Sequence, residues 1–128
     1  MKNKEIELMK RRARDFLENS EYLVNKGVYD LAAFNAEQAA QLRLKAALLK
    51  FIGDYPKTHS IIFLLKELGK VDRRRVEDFI KENRGMLHAL EDAYLTSRYF
   101  LKSFDRDDAV ELLKVSKGVF RLCEELGD

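Results

Sequence analysis

Cysteine, proline and tryptophan are nearly missing from this chain of 128 residues, which has one, one and none of them. The single thiol, Cys123, excludes a disulfide framework within the chain and any zinc site built on cysteines. One proline, Pro56, and six glycines leave long stretches with nothing to break a helix. Two histidines, His59 and His88, leave little imidazole for acid–base chemistry and argue against a His-rich metal centre, so no metal or cofactor is expected. No stretch comes near the ~18 to 20 uninterrupted apolar residues of a membrane span. The start Met1-Lys2-Asn3-Lys4-Glu5 runs into an amphipathic pattern without the apolar segment of a signal peptide, and a cytoplasmic protein is the expectation. Charge of one sign is lacking too: 24 Lys and Arg against 22 Asp and Glu leave +2. That balance gives no global field for gripping nucleic acid, so an RNA contact would have to come from a local patch.

What is present is helix-forming. Hydrophobic residues make up 46% and charged residues 36%, which predicts a packed core beneath a heavily ionised surface within a single domain, 1–128. Ile6, Met9, Ala13, Phe16, Ser20 and Leu23 recur at three- and four-residue steps and predict a first helix from Asn3 to Lys26, closed by Gly27. A second is predicted from an N-cap at Asp30 to Ile52, before Gly53 and the turn Asp54-Tyr55-Pro56. Thr58 or Ser60 caps a short third helix that ends at Gly69. Asp72 opens a longer fourth, with the stripe Val76, Phe79, Ile80, Asn83, Leu87, Leu90, Tyr94, Ser97 and Leu101 and a kink at Asn83-Arg84-Gly85. The last begins between Asp105 and Asp108 and presents Ala109, Leu112, Leu113, Ser116, Phe120 and Cys123. Short connections make consecutive helices antiparallel, so the expected fold is an all-α, five-helix, up-and-down bundle.

Polar residues interrupt two of the apolar stripes. In the second helix Leu31, Phe34, Gln38, Leu42, Lys45, Leu49 and Ile52 fall on one line, with Gln38 and Lys45 inside it. The rest of this helix is largely Ala and Leu, which marks it as the central member of the bundle. A buried ammonium requires an acid, a polar network or a route for its stem to the surface. In the fourth helix Tyr94, Ser97, Arg98 and Tyr99 lie beside the apolar face, and Arg98 needs oxygen acceptors because it cannot shed its charge. Pro56-Lys57-Thr58-His59-Ser60 precedes a helix start, where backbone N–H groups favour either an anion or a side-chain cap, and capping is the simpler reading. Arg84, His88, Glu91 and Asp92 read as a solvated charged face, as do the basic runs at Lys10–Arg14 and Arg73–Arg75.

The segments Tyr29-Asp30-Leu31-Ala32-Ala33-Phe34-Asn35-Ala36-Glu37-Gln38-Ala39-Ala40-Gln41-Leu42-Arg43-Leu44-Lys45-Ala46, Thr58-His59-Ser60-Ile61 and Tyr94-Leu95-Thr96-Ser97-Arg98-Tyr99, in this order, resemble the HEPN domain family. The resemblance covers nearly the whole chain and implies an antiparallel helical bundle, commonly a homodimer. Prokaryotic stand-alone members are typically encoded beside a minimal nucleotidyltransferase, which implies a two-component, toxin–antitoxin-like role. Gln41 stands where relatives usually carry an acid, which removes an obvious counter-ion for Lys45 or Arg98. Ribonuclease members carry an Arg followed, after four to six residues, by a His; here Ser103, Phe104 and Asp105 occupy the positions that Arg98 would require. The leading expectation is therefore a non-catalytic module that binds a nucleotide or phosphate-bearing ligand through Gln38, Lys45, Tyr94 and Arg98, with His59 as an addition. A metal-independent ribonuclease with a rearranged Arg/His site and a purely structural interaction domain are the alternatives, and RNA is the less favoured ligand.

Overall fold

The computed structural model describes residues 2–98 and 103–128, with side chains for all of these except 97 and 98. Its five helices are α1 (Lys2–Lys26), α2 (Tyr29–Phe51), α3 (Ile61–Leu68), α4 (Arg73–Arg98) and α5 (Arg106–Glu125), and no strand occurs among the described residues. Gly27 at φ +80° and Gly53 at φ +95° end the first two helices in the left-handed conformation that a side chain would resist. The predicted cap of α2 is corrected. Val28 is the N-cap and has no side-chain bond, while Asp30 lies inside the first turn and accepts the Phe104 N–H at 2.7 Å. Asp30 thus ties the start of α2 to the entry of α5. Asp105 caps α5 reciprocally with Asp108. Ser60 caps α3 by accepting from the Phe63 N–H. The kink in α4 falls at Asn83, whose side chain donates to the Phe79 carbonyl at 2.9 Å and whose own φ and ψ, −122° and 17°, are not helical.

The four long helices alternate in direction. Lys2 of α1 meets Gly53 beyond the far end of α2, so this pair is antiparallel. Ser116 of α5 donates to the Ala36 carbonyl and Arg43 of α2 reaches Asp128 past the end of α5, so those two run parallel. Arg75 of α4 pairs with Glu125 of α5, which sets α4 against both. α3 is a short helix on the connection from α2 to α4, and α2 touches all four others. Its alanines make that possible: Ala32, Ala33, Ala36, Ala39, Ala40, Ala46 and Ala47 are wholly buried, and small side chains let neighbouring backbones come close.

The apolar stripe of α2 is not the line expected from periodicity. Leu31 and Ile52 are exposed, while Glu37, Gln41, Leu44 and Leu48 are buried. A helix covered on most sides has little contrast between its faces, so the spacing of large apolar residues does not locate its inner side. In α1 and α5 one face remains wet and the predicted stripes hold: Ile6, Met9, Ala13, Ser20 and Leu23, then Ala109, Leu112, Leu113, Ser116, Phe120 and Cys123, are buried, and Phe16 of the first stripe is half-buried. The side chain of Ser97 and all of Tyr99 and Leu101 lie outside the described residues.

Candidate functional site: a buried acid behind a polar rim

Successive fourth residues of one helix stand above each other on one side, and Glu37, Gln41 and Lys45 form such a row on α2. Glu37 has no exposure at all, Gln41 is buried, and Lys45 is half-buried. Gln41 links the other two. Its amide nitrogen donates to Glu37 Oε2 at 2.8 Å, and its carbonyl oxygen accepts from Lys45 Nζ at 3.0 Å. Gln38 donates to Glu37 Oε1 at 2.7 Å, so both carboxyl oxygens are held by amides. The Lys45 ammonium also lies 5.8 Å from the centre of the Tyr55 ring.

The loop before α3 and the middle of α4 complete the site. His59 Nδ1 lies 3.2 Å from Gln41 Oε1. That oxygen can only accept, so Nδ1 carries the hydrogen in this contact. The His59 ring stacks on Tyr94 of α4, with centroids 4.3 Å apart and planes 14° from parallel. His59 is exposed, while Gln38, Lys45 and Tyr94 are half-buried, so these four form a rim over the buried Glu37–Gln41 pair. On α4, Glu91 accepts from the Ser60 hydroxyl and, at 3.1 Å, from the Ile62 N–H. The helix start considered for an external anion is therefore filled by a carboxylate of the chain itself, and Glu91 is not part of a freely solvated face.

Burial decides the charge state of the site. It pushes the Glu37 carboxyl from its ordinary 4.5 up to about 7, outweighing the downward pull of the Gln41 and Gln38 hydrogen bonds and of the Lys45 charge, and the Glu91 charge adds to the rise. Burial also lowers the Lys45 ammonium from its usual 10.5, with the Glu37 charge acting against the change. An acid raised toward neutrality and a weakened ammonium are thus joined by one amide.

Four of the five residues singled out from the sequence, Gln38, Lys45, His59 and Tyr94, thus meet in one place. Arg98 follows Tyr94 by four residues and closes α4, but its side chain lies outside the described residues. Periodicity missed Glu37, Gln41 and Glu91. The available signal for the first two was the polar run 37, 41, 45 at steps of four inside an alanine-rich helix, one residue off the line drawn through Gln38. Lys45 has the polar network it required, and the carboxylate that answers it sits at 37 rather than 41. Among the described residues no buried side-chain nitrogen or oxygen lacks a hydrogen bond, and no three His, Cys, Asp or Glu side chains converge as metal ligands.

The HEPN domain model matches residues 6–126. The chain belongs to the HEPN domain family. Its fold matches the crystal structure of TT1696 from Thermus thermophilus with a TM-score of 0.78 and 26% identity, over 94% of this chain and 97% of that one. No curated protein matches it. No described helix of this HEPN domain is long and apolar enough to cross a membrane.

Proposed function

We propose that this HEPN domain is a binding module for a nucleotide or another phosphate-bearing ligand, and that it acts as a homodimer with a minimal nucleotidyltransferase in a two-component, toxin–antitoxin-like system. The observation that supports the ligand reading is the convergence of Lys45, His59, Gln38 and Tyr94 from three segments of the chain onto one rim. Each brings a distinct part of nucleotide recognition. Lys45, together with Arg98 from the end of α4, neutralises phosphate. The exposed His59 ring, backed by Tyr94, offers a face on which a base stacks. Gln38 commits its amide nitrogen to Glu37, which leaves its carbonyl oxygen to accept from a base amine. Phosphate beside Lys45 supplies a directly bonded anion where the chain itself offers the ammonium only the neutral Gln41 oxygen. Titration calorimetry with ATP, AMP and GTP tests the reading. Saturable heat in the wild type that disappears in Lys45→Ala and Arg98→Ala is the expected result; no heat at millimolar nucleotide removes it. The partner and the dimer are tested by co-expression with a nucleotidyltransferase encoded beside this chain and by the mass of the purified assembly.

A second reading, ribonuclease chemistry, draws on the same exposed His59. An exposed imidazole and an arginine one turn beyond its stacking partner would supply a base and an anion-stabilising group without the sequence spacing of the family's ribonucleases. Cleavage of single-stranded RNA that vanishes in both His59→Ala and Arg98→Ala separates this reading from the first.

A further inference from the structure

The two amides that hold Glu37 are not equally free. Gln41 is locked: its carbonyl oxygen accepts from Lys45 Nζ at 3.0 Å and from His59 Nδ1 at 3.2 Å, so its amide nitrogen must be the end that faces Glu37. Gln38 makes a single side-chain bond, from its nitrogen to Glu37 Oε1 at 2.7 Å. Its carbonyl oxygen has no partner among the described residues. Every buried side-chain oxygen there is bonded, so this unbonded one is open to solvent. Glu37 alone therefore decides which end of the Gln38 amide the rim presents. A carboxylate can only accept, so it draws both nitrogens inward and leaves an acceptor outside.

The bases divide on the same criterion, since adenine and cytosine carry an exocyclic amine where guanine and uracil carry an oxygen. We propose that Glu37 is a positioning residue for base selectivity: through Gln38 it gives the rim a hydrogen-bond acceptor that favours adenine or cytosine and opposes the oxo group of guanine or uracil. The inference rests on the nucleotide reading of the rim and adds the class of base to it. Any change that puts a donor on the Gln38 side of this buried group should turn the Gln38 amide over, because Gln41 cannot turn, and the rim then offers N–H instead of oxygen. Protonation of Glu37 is one such change, which burial brings up to about 7. Glu37→Gln is another: its oxygen takes the Gln41 N–H, and its nitrogen is left facing Gln38. Lys45 on the same helix and Glu91 on α4 are charges that act on Glu37, with His59 on the far side of Gln41; α1 and α5 meet the adjoining Asn35 and Ala36 with the neutral Asn19 and Ser116. His59 can donate from Nδ1 whether its ring is neutral or protonated, so Gln41 stays locked as Glu37 titrates.

AMP and IMP test this, because they share ribose and phosphate and differ in an exocyclic amine against an oxygen. Titration calorimetry gives the ratio of their Kd values. For the wild type at a pH of about 8.5, AMP should bind on the order of tenfold more tightly than IMP, and at about 5.5 the preference should reverse. Glu37→Gln should prefer IMP at both pH values, and Gln38→Ala should bind the two nucleotides alike. A wild-type ratio that is the same at both pH values, or a folded Glu37→Gln variant that keeps the preference for AMP, overturns the inference and leaves nucleotide binding standing. If Glu37→Gln fails to fold by circular dichroism, the wild-type pH series decides alone. Absence of saturable heat with either nucleotide removes the nucleotide reading and this inference together.

Discussion

Two charged side chains of α2, Arg43 and Glu37, have left water almost completely, with 3% and 0% exposure, and their surroundings treat them differently. Arg43 is met by opposite charge. Its guanidinium bonds the Asp128 carboxylate and, at 3.0 Å, the Asp128 carbonyl, while Lys10 and Lys50 close on the same carboxylate at 3.3 Å each. Burial works to raise the Asp128 carboxyl, but the Arg43 hydrogen bond and the surrounding cations overcome it and hold the group below its ordinary 3.8. Glu37 touches no cation. Two amides hold it, the Lys45 charge acts on it from a distance with Gln41 bonded between them, and its carboxyl is driven up instead of down. The buried Arg43 thus has its counter-ion within the chain. The Glu37 group is complete in its hydrogen bonds and incomplete in its charge, a condition that favours a ligand-responsive site.

The largest effect that tests this contrast is expected at Arg43. Arg43→Ala leaves the Asp128 carboxylate sequestered without its strongest partner and should lower the unfolding free energy by about 3 kcal/mol or more, read from urea denaturation. A loss well under 1 kcal/mol would show that the cluster is solvated and dissolve the comparison.

The two carboxyls should also impose opposite pH dependences. Asp128, with its folded value depressed, contributes stability above its unfolded 3.8 that is lost as pH falls through the lower folded value. For Glu37 the folded value is raised from 4.5 to about 7, so its contribution is fully present below 4.5 and is lost as pH rises through 7. Wild-type stability relative to Glu37→Gln should therefore fall by on the order of 3 kcal/mol from pH 4 to pH 8. Only the slope is diagnostic. The glutamine variant faces one of its own N–H groups toward a neighbouring amide donor, which shifts its stability by a similar amount at every pH. Parallel curves for the two proteins would mean that burial does not raise the Glu37 carboxyl and that it titrates alike in the folded and unfolded chain.

Most of the fold was legible in the sequence because its signals are local. Gly27, Ser60, Asp105 and Asn83 act on backbone within a few residues of themselves, and the caps, stops and kink fall where those residue types require. The stripes of α1 and α5 were legible because each retains a wet face. α2 was harder. Its chemistry is set by which neighbours surround it, and Gln38 and Glu37 differ by one residue in sequence but by complete burial in space. Lys45 could be recognised as needing a polar network, yet the network's members Gln41, His59 and Glu37 come together only when the loop before α3 folds back over the helix. Glu91 was legible as a charge and not as the group that binds the start of α3, since its partners are 29 and 31 residues away.

Ser60 joins the two kinds of information and ranks next in expected effect. It caps α3 and donates to Glu91, so Ser60→Ala removes both bonds and should cost about 1–2 kcal/mol in urea unfolding. Ser60→Asp restores the cap but places a second carboxylate against Glu91, and should not recover the loss. Recovery by Asp would mean that capping alone explains the site's loop and that the Glu91 contact contributes nothing.

The smallest change in stability is expected at Lys45, and that smallness separates a binding cation from a structural one. Its ammonium makes one hydrogen bond at a half-buried position, a contact worth about 1 kcal/mol, and removal leaves Gln41 Oε1 still bonded by His59. Relief of the desolvation that weakens this ammonium offsets part of even that. Lys45→Ala should therefore unfold within about 1 kcal/mol of the wild type at pH 7. The same substitution withdraws a charge that holds the Glu37 carboxyl down, so the midpoint of the Glu37-dependent slope should move to higher pH while the protein remains folded. A cost as large as that of Arg43→Ala, with the slope unmoved, would place Lys45 in a self-sufficient ion cluster of the Arg43 kind and leave the rim without its cation for phosphate.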